Sequence, residues 1–145
     1  MRLVTAPIAL DDLLAETAAP EAGALAIFCG TVRNHNENRQ VKKLSYSAYE
    51  PLAEKTLADI EHEARSKFDI LDCRIVHRLG ELKIGDTSLL IVVRSVHRAE
   101  AYEASRYAIE EVKHRAPIWK LEEYADGTWS YVKGCSLNER HHVET

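Results

Sequence analysis

The segment of residues 113–120 gathers positive charge around a proline. It reads KHRAPIWK, so Lys113, Arg115 and Lys120 lie within eight residues of one another. A lysine beside another cation can have a lowered pKa and can then act as an acid, a base or a nucleophile. The segment therefore predicts an anion site in which a lysine does chemistry. The alternative is that both lysines are solvated, with Lys113 favoured only by the negative end of a helix dipole.

The proline determines how this segment folds. Small and apolar residues recur at helical spacing before it, which predicts a helix whose buried stripe is formed by Ala101, Ala104, Ala108, Ile109 and Val112. Pro117 lacks a backbone donor and disfavours helical dihedrals in the residue before it, so the helix should end near Ala116. Lys113 then lies in the last turn, at the edge of the stripe.

An extended segment should follow the bend. Alternation over residues 118–124 sends Ile118, Lys120 and Glu122 to one face, and Trp119, Leu121 and Glu123 to the other. We therefore expect the two lysines to approach each other across the bend.

Two further cationic groups lie where apolar runs end. Arg33 leaves a run that contains Gly30, which we expect to allow a close backbone approach. His97 and Arg98 stand between a strand and the helix that carries Lys113, and a helix N-terminus itself attracts anions. These groups lie in a chain of net charge -4, so a small phosphorylated or carboxylated substrate is the economical explanation.

Composition limits the class of protein. A chain of 145 residues with 46% apolar content predicts one globular domain spanning 1–145. The net negative charge argues against a general nucleic-acid binder. The chain has neither an apolar run long enough to cross a bilayer nor a secretory signal, so we expect a cytoplasmic protein.

Cysteine and histidine give no sign of a metal site. Cys29, Cys73 and Cys135 are odd in number, have no paired spacing and suggest no disulfide framework. Cys29 and Cys73 fall inside apolar strands, where we expect small buried side chains. The seven histidines lack the short-spaced pairs of a zinc site on one helix, so no metal is expected.

The remaining pattern predicts an α+β domain with a largely antiparallel sheet and flanking helices. The expected strands are 2–5, 24–32, 41–50, 71–79, 87–96 and a pair joined by Asp126 and Gly127. Helices are expected at 11–18, capped by an aspartate, and at 51–68, and a third ends near residue 116. Residues 33–39 and 80–86 are predicted as loops. A flexible tail is expected from about residue 135.

The inner face of the second helix can also be read from the spacing. It is predicted to consist of Ala53, Leu57, Ile60 and Ala64.

Three motifs in register resemble a known family. FCGTVRN at 28–34, SVHR at 95–98 and KHRAPIWK at 113–120 closely resemble the large, catalytic subunit of molybdopterin synthase. The similarity runs over residues 25–129 with the family's order and spacing. It implies a fold of the α/β-hammerhead type. The first helix and the tail after residue 134 carry no recognisable motif.

The resemblance implies a sulfur-transfer reaction. Enzymes of this family convert cyclic pyranopterin monophosphate into molybdopterin by installing a dithiolene, a step in molybdenum cofactor biosynthesis. The sulfur arrives as a C-terminal thiocarboxylate on a small ubiquitin-like partner whose Gly-Gly tail enters the pocket, so no cofactor is needed. The family assembles as a dimer of this subunit with one small partner at each end.

The resemblance also assigns residues. It implies that Lys113 and Lys120 line the reaction centre, and that Arg33, His97 and Arg98 bind the substrate. His97 and Arg98 are expected to reach the active site of the neighbouring subunit. Further pocket contacts are expected from Thr31, Val32, Leu121 and Glu122.

Two other functions remain open on the residues alone. One is a non-catalytic domain that binds a phosphorylated metabolite through the same cations. The other is an enzyme that forms a Schiff base between a lysine and a carbonyl substrate. Neither accounts for all three motifs. The sequence does not decide which lysine acts as acid, base or nucleophile.

Overall fold

Three helices and nine strands form the part of the chain that the computed structural model describes, residues 1–36 and 39–133. The helices are α1 (Leu10–Thr17), α2 (Glu50–Lys67) and α3 (Arg98–Arg115). The strands are β1 (Leu3–Val4), β2 (Ala24–Thr31), β3 (His35–Asn36), β4 (Arg39–Ala48), β5 (Asp72–Arg78), β6 (Gly80–Leu82), β7 (Thr87–Ser95), β8 (Ile118–Tyr124) and β9 (Trp129–Lys133).

The first sheet has the strand order β1-β5-β7-β2, and β2 is its edge. β1 is parallel to β5, whereas the other pairs are antiparallel. Helices α2 and α3 cover one face of this sheet and form the main core with it. The short α1 covers β5 and β7 on the other face, where Leu13 packs with Val76, Leu90 and Val92. β2 alternates half-buried and exposed positions because α1 does not extend over it.

The second sheet has the order β3-β4-β8-β9, and β6 pairs with β4 on the side opposite β8. β8 and β9 form a hairpin whose turn contains Gly127 at φ 90°, a left-handed conformation that suits glycine. β8 follows α3 directly, so this sheet is attached to the end of the helix that carries Lys113.

Several predictions of local structure are confirmed. The α+β class with mainly antiparallel pairing is present, and the strands divide into two sheets. Pro51 lies in the first turn of α2. The predicted inner face of that helix is fully buried, with 0% exposure at Ala53, Leu57, Ile60 and Ala64.

Within the described residues, no helix combines the length and apolar character needed to cross a membrane.

Other predictions were wrong. The residue before α1 is Ala9, and no side chain caps this helix; Asp11 and Asp12 lie in its first turn instead, where the helix dipole favours acidic groups. Short strands also form where loops were predicted: β3 lies in the 33–39 segment and β6 in the 80–86 segment. Both pair with β4: β3 through a local contact in which Asn36 lies opposite Arg39, and β6 through a contact between residues far apart in the sequence, which local turn residues do not reveal. The predicted tail from residue 135 lies outside the described residues.

Candidate functional site

The bend between α3 and β8 is buried and held by backbone hydrogen bonds. Ala116 leaves the helix in an extended conformation, and its N–H donates to the Val112 carbonyl at 3.1 Å. The Tyr49 N–H donates to the Pro117 carbonyl at 3.1 Å, which ties the bend to the end of β4. Lys113 lies half-buried in the last turn of α3. The predicted break at the proline is therefore confirmed.

Strand β8 presents Lys120 on its inner face. Its neighbours on this face, Ile118 and Glu122, are 1% and 2% exposed, whereas Trp119 on the other face is 37% exposed. The predicted alternation is thus confirmed. Lys120 lies directly opposite Tyr46 of β4.

Lys120 forms an ion pair with Glu122. The Lys120 Nζ lies 3.2 Å from Glu122 Oε2, and the two side chains are 19% and 3% exposed. Tyr124, the next residue on this face, donates its hydroxyl to Glu122 Oε1 at 2.7 Å. Burial and this hydrogen bond raise the pKa of Tyr124, so its hydroxyl keeps its proton at neutral pH. The arrangement presents a fixed, partly accessible ammonium group, which can stabilise negative charge.

Tyr124 was missed by the sequence interpretation. The alternation of β8 could have identified it, because Lys120, Glu122 and Tyr124 follow one another at two-residue spacing on one face.

Arg33 leaves β2 at the start of β7. The Val32 N–H donates to the Asp86 carbonyl at 2.9 Å, and the Val32 carbonyl accepts from the Gly85 N–H at 2.7 Å. Val32 is 4% exposed, while Thr31 and Arg33 are exposed. Thr31 and Arg33 can therefore reach a ligand at this rim, but the side chain and both backbone groups of Val32 are already engaged in the fold.

The close backbone approach predicted at Gly30 stays a prediction, because the neighbouring residues do not themselves require a glycine there. An added Cβ at Gly30 would meet Phe28, Leu89 and Ser88 atoms at 3.4 to 3.7 Å, which are ordinary contacts. Leu121 projects from the face of β8 opposite to Lys120, as the alternation predicts. Only its backbone can contribute beside Lys120.

His97 and Arg98 lie at the other end of the first sheet. Ala24 of β2 pairs with Ser95, whereas Thr31 pairs with Thr87. These pairs are seven residue steps apart on β2, which is about 24 Å at about 3.4 Å per residue. His97 follows the Ser95 end and Arg33 follows the Thr31 end.

Helix α3 separates the same two groups. It packs along β2 and β7, and it carries the chain back from His97 toward the Thr31 end. At 1.5 Å per residue the rise from His97 to Lys113 is about 24 Å. Within one chain, Arg33 and Lys113 therefore lie toward the same end of the first sheet. His97 and Arg98 lie at the opposite end, far from both.

A charged network fastens the end of α3 to α2. Arg115 donates to both carboxylate oxygens of Glu63, at 2.6 and 2.9 Å, and the Tyr107 hydroxyl donates to Glu63 at 2.7 Å. The guanidinium and then the phenol lower the pKa of Glu63 to about 2. Burial and then Glu63 raise the pKa of Tyr107 to about 12. No local pattern singled out Glu63, because its partners lie on another helix.

The thiols of the described residues differ in environment. Cys73 is fully buried, as predicted, and burial raises its pKa to about 12, which disfavours the thiolate needed of a nucleophile. Cys29 was predicted to be buried but is exposed on the uncovered face of β2, with its Sγ 3.2 Å from Thr87 Oγ1. Cys135 lies outside the described residues. Within residues 1–36 and 39–133, no group of three or more histidine, cysteine or acidic side chains could hold a metal ion.

Comparison with protein families gives a match over most of the chain. The model of the family described as MoaE protein matches residues 3–115. A molybdopterin synthase catalytic subunit of Synechococcus elongatus is 44% identical over 142 residues, covering 97% of this chain and 86% of that protein. The molybdopterin synthase catalytic subunit 1 of Mycobacterium tuberculosis is 40% identical over 126 residues, covering 87% of this chain and 86% of that protein.

Solved structures show the same fold. The crystal structure of molybdopterin synthase from Staphylococcus aureus matches with a TM-score of 0.83 and 40% identity, covering 89% of this chain and 95% of that chain. A complex of subunits 1 and 2 of the molybdopterin-converting factor from Helicobacter pylori matches with a TM-score of 0.72 and 27% identity, covering 94% and 90% of the two chains.

Proposed function

Because the chain belongs to the MoaE protein family, we propose that it is the catalytic subunit of a molybdopterin synthase, an enzyme of molybdenum cofactor biosynthesis. The three motifs that indicated this family lie in the aligned region, and relatives about 40% identical over most of the chain carry this name. The observation that carries the assignment to a site is the Lys120–Glu122 ion pair beside the bend that follows Lys113.

The proposed reaction is a sulfur transfer. Each small ubiquitin-like partner brings one sulfur as a C-terminal thiocarboxylate, and water releases the partner with an ordinary carboxylate. Cyclic pyranopterin monophosphate receives two sulfurs in this way, from two partner molecules, to form the dithiolene of molybdopterin. The complex of two subunits among the solved relatives supports such a partner. The partner supplies the sulfur, so the protein needs no cofactor, and the buried Cys73 thiol is unsuited to replace it. Such a biosynthetic step belongs in the cytoplasm.

The two lysines have different proposed tasks. Lys113 activates the substrate carbon or protonates the departing oxygen. Lys120, held by Glu122, stabilises the oxyanion that forms as the thiocarboxylate sulfur is transferred. The difference in setting supports this division, because Lys120 has a carboxylate 3.2 Å away that fixes its position.

The phosphate of the substrate is held by residues of two subunits. Arg33 binds it from the chain that supplies the lysines, with Thr31 and the backbone beside Lys120 completing the pocket. His97 and Arg98 come from the second subunit, since within one chain they lie about 24 Å away along the sheet.

A two-fold arrangement about the middle of β2 satisfies this requirement. β2 is an edge strand, and a second copy set antiparallel to it would place its Ala24 end beside the Thr31 end of the first. The exposed side chains of Leu25 and Ile27, 40% and 42% accessible, supply apolar surface for such a contact.

The decisive experiment is single-turnover conversion of cyclic pyranopterin monophosphate by this protein mixed with a thiocarboxylated ubiquitin-like partner. We expect dithiolene product that requires both proteins and that is absent when the partner ends in an ordinary carboxylate. A stable complex that forms no product would refute the synthase assignment and favour a metabolite-binding domain.

A further inference from the structure

We propose that Tyr124 is a positioning residue that acts on Lys120 through Glu122. The inference rests on the proposed function, because it concerns the geometry of the lysine assigned to the oxyanion. Lys120, Glu122 and Tyr124 occupy successive positions on the inner face of β8. Tyr124 is 5% exposed and Glu122 is 2% exposed, so both side chains lie inside the fold.

The Glu122 carboxylate contacts both of these neighbours. Its Oε1 accepts the Tyr124 hydroxyl at 2.7 Å, and its Oε2 lies 3.2 Å from the Lys120 Nζ. Rotation of the carboxylate about its last torsion is broad for glutamate in general. The tyrosine contact opposes this rotation, and the oxygen that faces Lys120 therefore keeps a fixed direction.

Tyr124 is itself held from outside the strand. The Arg39 guanidinium carbon lies 3.8 Å from the centre of the Tyr124 ring, a cation–π contact. Arg39 also donates to Thr128 Oγ1 and lies 3.6 Å from Asp126, so it is anchored in the turn between β8 and β9. The hairpin turn is thus connected through Arg39, Tyr124 and Glu122 to the ammonium group of Lys120.

Loss of the tyrosine hydroxyl should affect the reaction more than substrate binding. The buried Glu122 carboxylate would lose the hydrogen bond that the tyrosine donates, and it would reorient relative to Lys120. Substrate affinity should change little, because the phosphate is assigned to arginine and histidine side chains at other positions. Tyr124 does not touch the reacting atoms, so its effect is indirect.

The test compares Tyr124→Phe with Tyr131→Phe in the complex with the thiocarboxylated partner. Tyr131 lies on the neighbouring strand β9 and is 65% exposed, which makes it a matched control. For Tyr124→Phe we expect a single-turnover rate about five- to thirtyfold below wild type at saturating substrate, with a substrate Kd within about threefold. Tyr131→Phe should match wild type in both quantities.

A Tyr124→Phe rate within about twofold of wild type would overturn the inference. The inference would also be overturned if Tyr124→Phe reached the wild-type rate at saturating substrate and differed only in a higher substrate Kd. If thermal unfolding shows that the Tyr124→Phe protein is not folded, Arg39→Gln tests the same connection. A slower single-turnover rate at unchanged substrate Kd supports the inference, and a wild-type rate overturns it. Absence of product with the wild-type protein would instead overturn the proposed function, and the inference with it.

Discussion

Gly23 lies against the backbone of Val96. A Cβ on Gly23 would be 2.6 Å from the Val96 carbonyl oxygen, closer than real Cβ atoms approach such an atom. Val96 directly precedes His97 and Arg98, so the missing side chain of Gly23 permits the path by which the chain delivers these two cations to the end of the sheet.

Replacing Gly23 by alanine should displace this segment. We expect the free energy of unfolding to fall by about 1–3 kcal/mol, which is the usual cost of adding a methyl group to a well-packed site. Urea denaturation measures the change. Gly30→Ala is the control, because its added Cβ would meet only ordinary contacts at 3.4 Å or more. Equal stability of the Gly23 variant and wild type would contradict the steric argument.

Removal of the Lys113 side chain should abolish chemistry and spare the fold. Lys113→Ala is expected to lower the single-turnover rate at least about a hundredfold, as for loss of a catalytic acid or base. Thermal unfolding and partner binding should stay near wild type, because the side chain is only half-buried. Lys55→Ala, in an exposed i,i+4 pair on α2, is the matched control and should keep full rate. A near-normal rate for Lys113→Ala would show that its assignment is wrong.

Subunits with different defects should complement each other. If His97 and Arg98 act in the neighbouring subunit, mixing Lys113→Ala with Arg98→Ala protein leaves one intact site in each mixed dimer. Random pairing then restores about a quarter of the wild-type activity, which an assay after co-expression or subunit exchange would show. Mixing Lys113→Ala with Lys120→Ala should restore nothing, because these lysines flank one bend of one chain. Absence of complementation in the first mixture would place Arg98 and Lys113 in the same subunit's site.

The Glu63 network should stabilise the protein in a pH-dependent way. Arg115 and Tyr107 lower the pKa of Glu63 from 4.5 to about 2, so the stabilisation is fully present above pH 4.5 and is lost as the pH falls through about 2. At neutral pH, Glu63→Gln should lower the free energy of unfolding by about 1 kcal/mol, since the groups are partly exposed.

Denaturation of wild type and Glu63→Gln at a series of pH values measures this difference, which should shrink as the solution is acidified below pH 4.5. Glu103→Gln, at an exposed position on α3, should show no comparable effect. A stability difference that stays constant down to pH 2 would indicate that the carboxylate charge is not responsible.

Local chemistry explains what the sequence determined. Pro117 must end a helix because it lacks a donor, and the alternation of β8 follows from the two-residue period of a strand. The buried stripe of α2 was read from its spacing for the same reason. The three motifs indicated the family, because each is a distinctive set of residue types within a short stretch of chain, and the family model matches residues 3–115.

The relative positions of these helices and strands are determined only by the tertiary structure. The exposure of Cys29 depends on α1 being too short to cover β2, and the pairing of β6 with β4 joins residues far apart in the sequence. The antiparallel register of β2 and β7 sets His97 and Arg98 at the end of the sheet opposite Arg33. Such contacts arise from long-range packing, so no local period or propensity reports them.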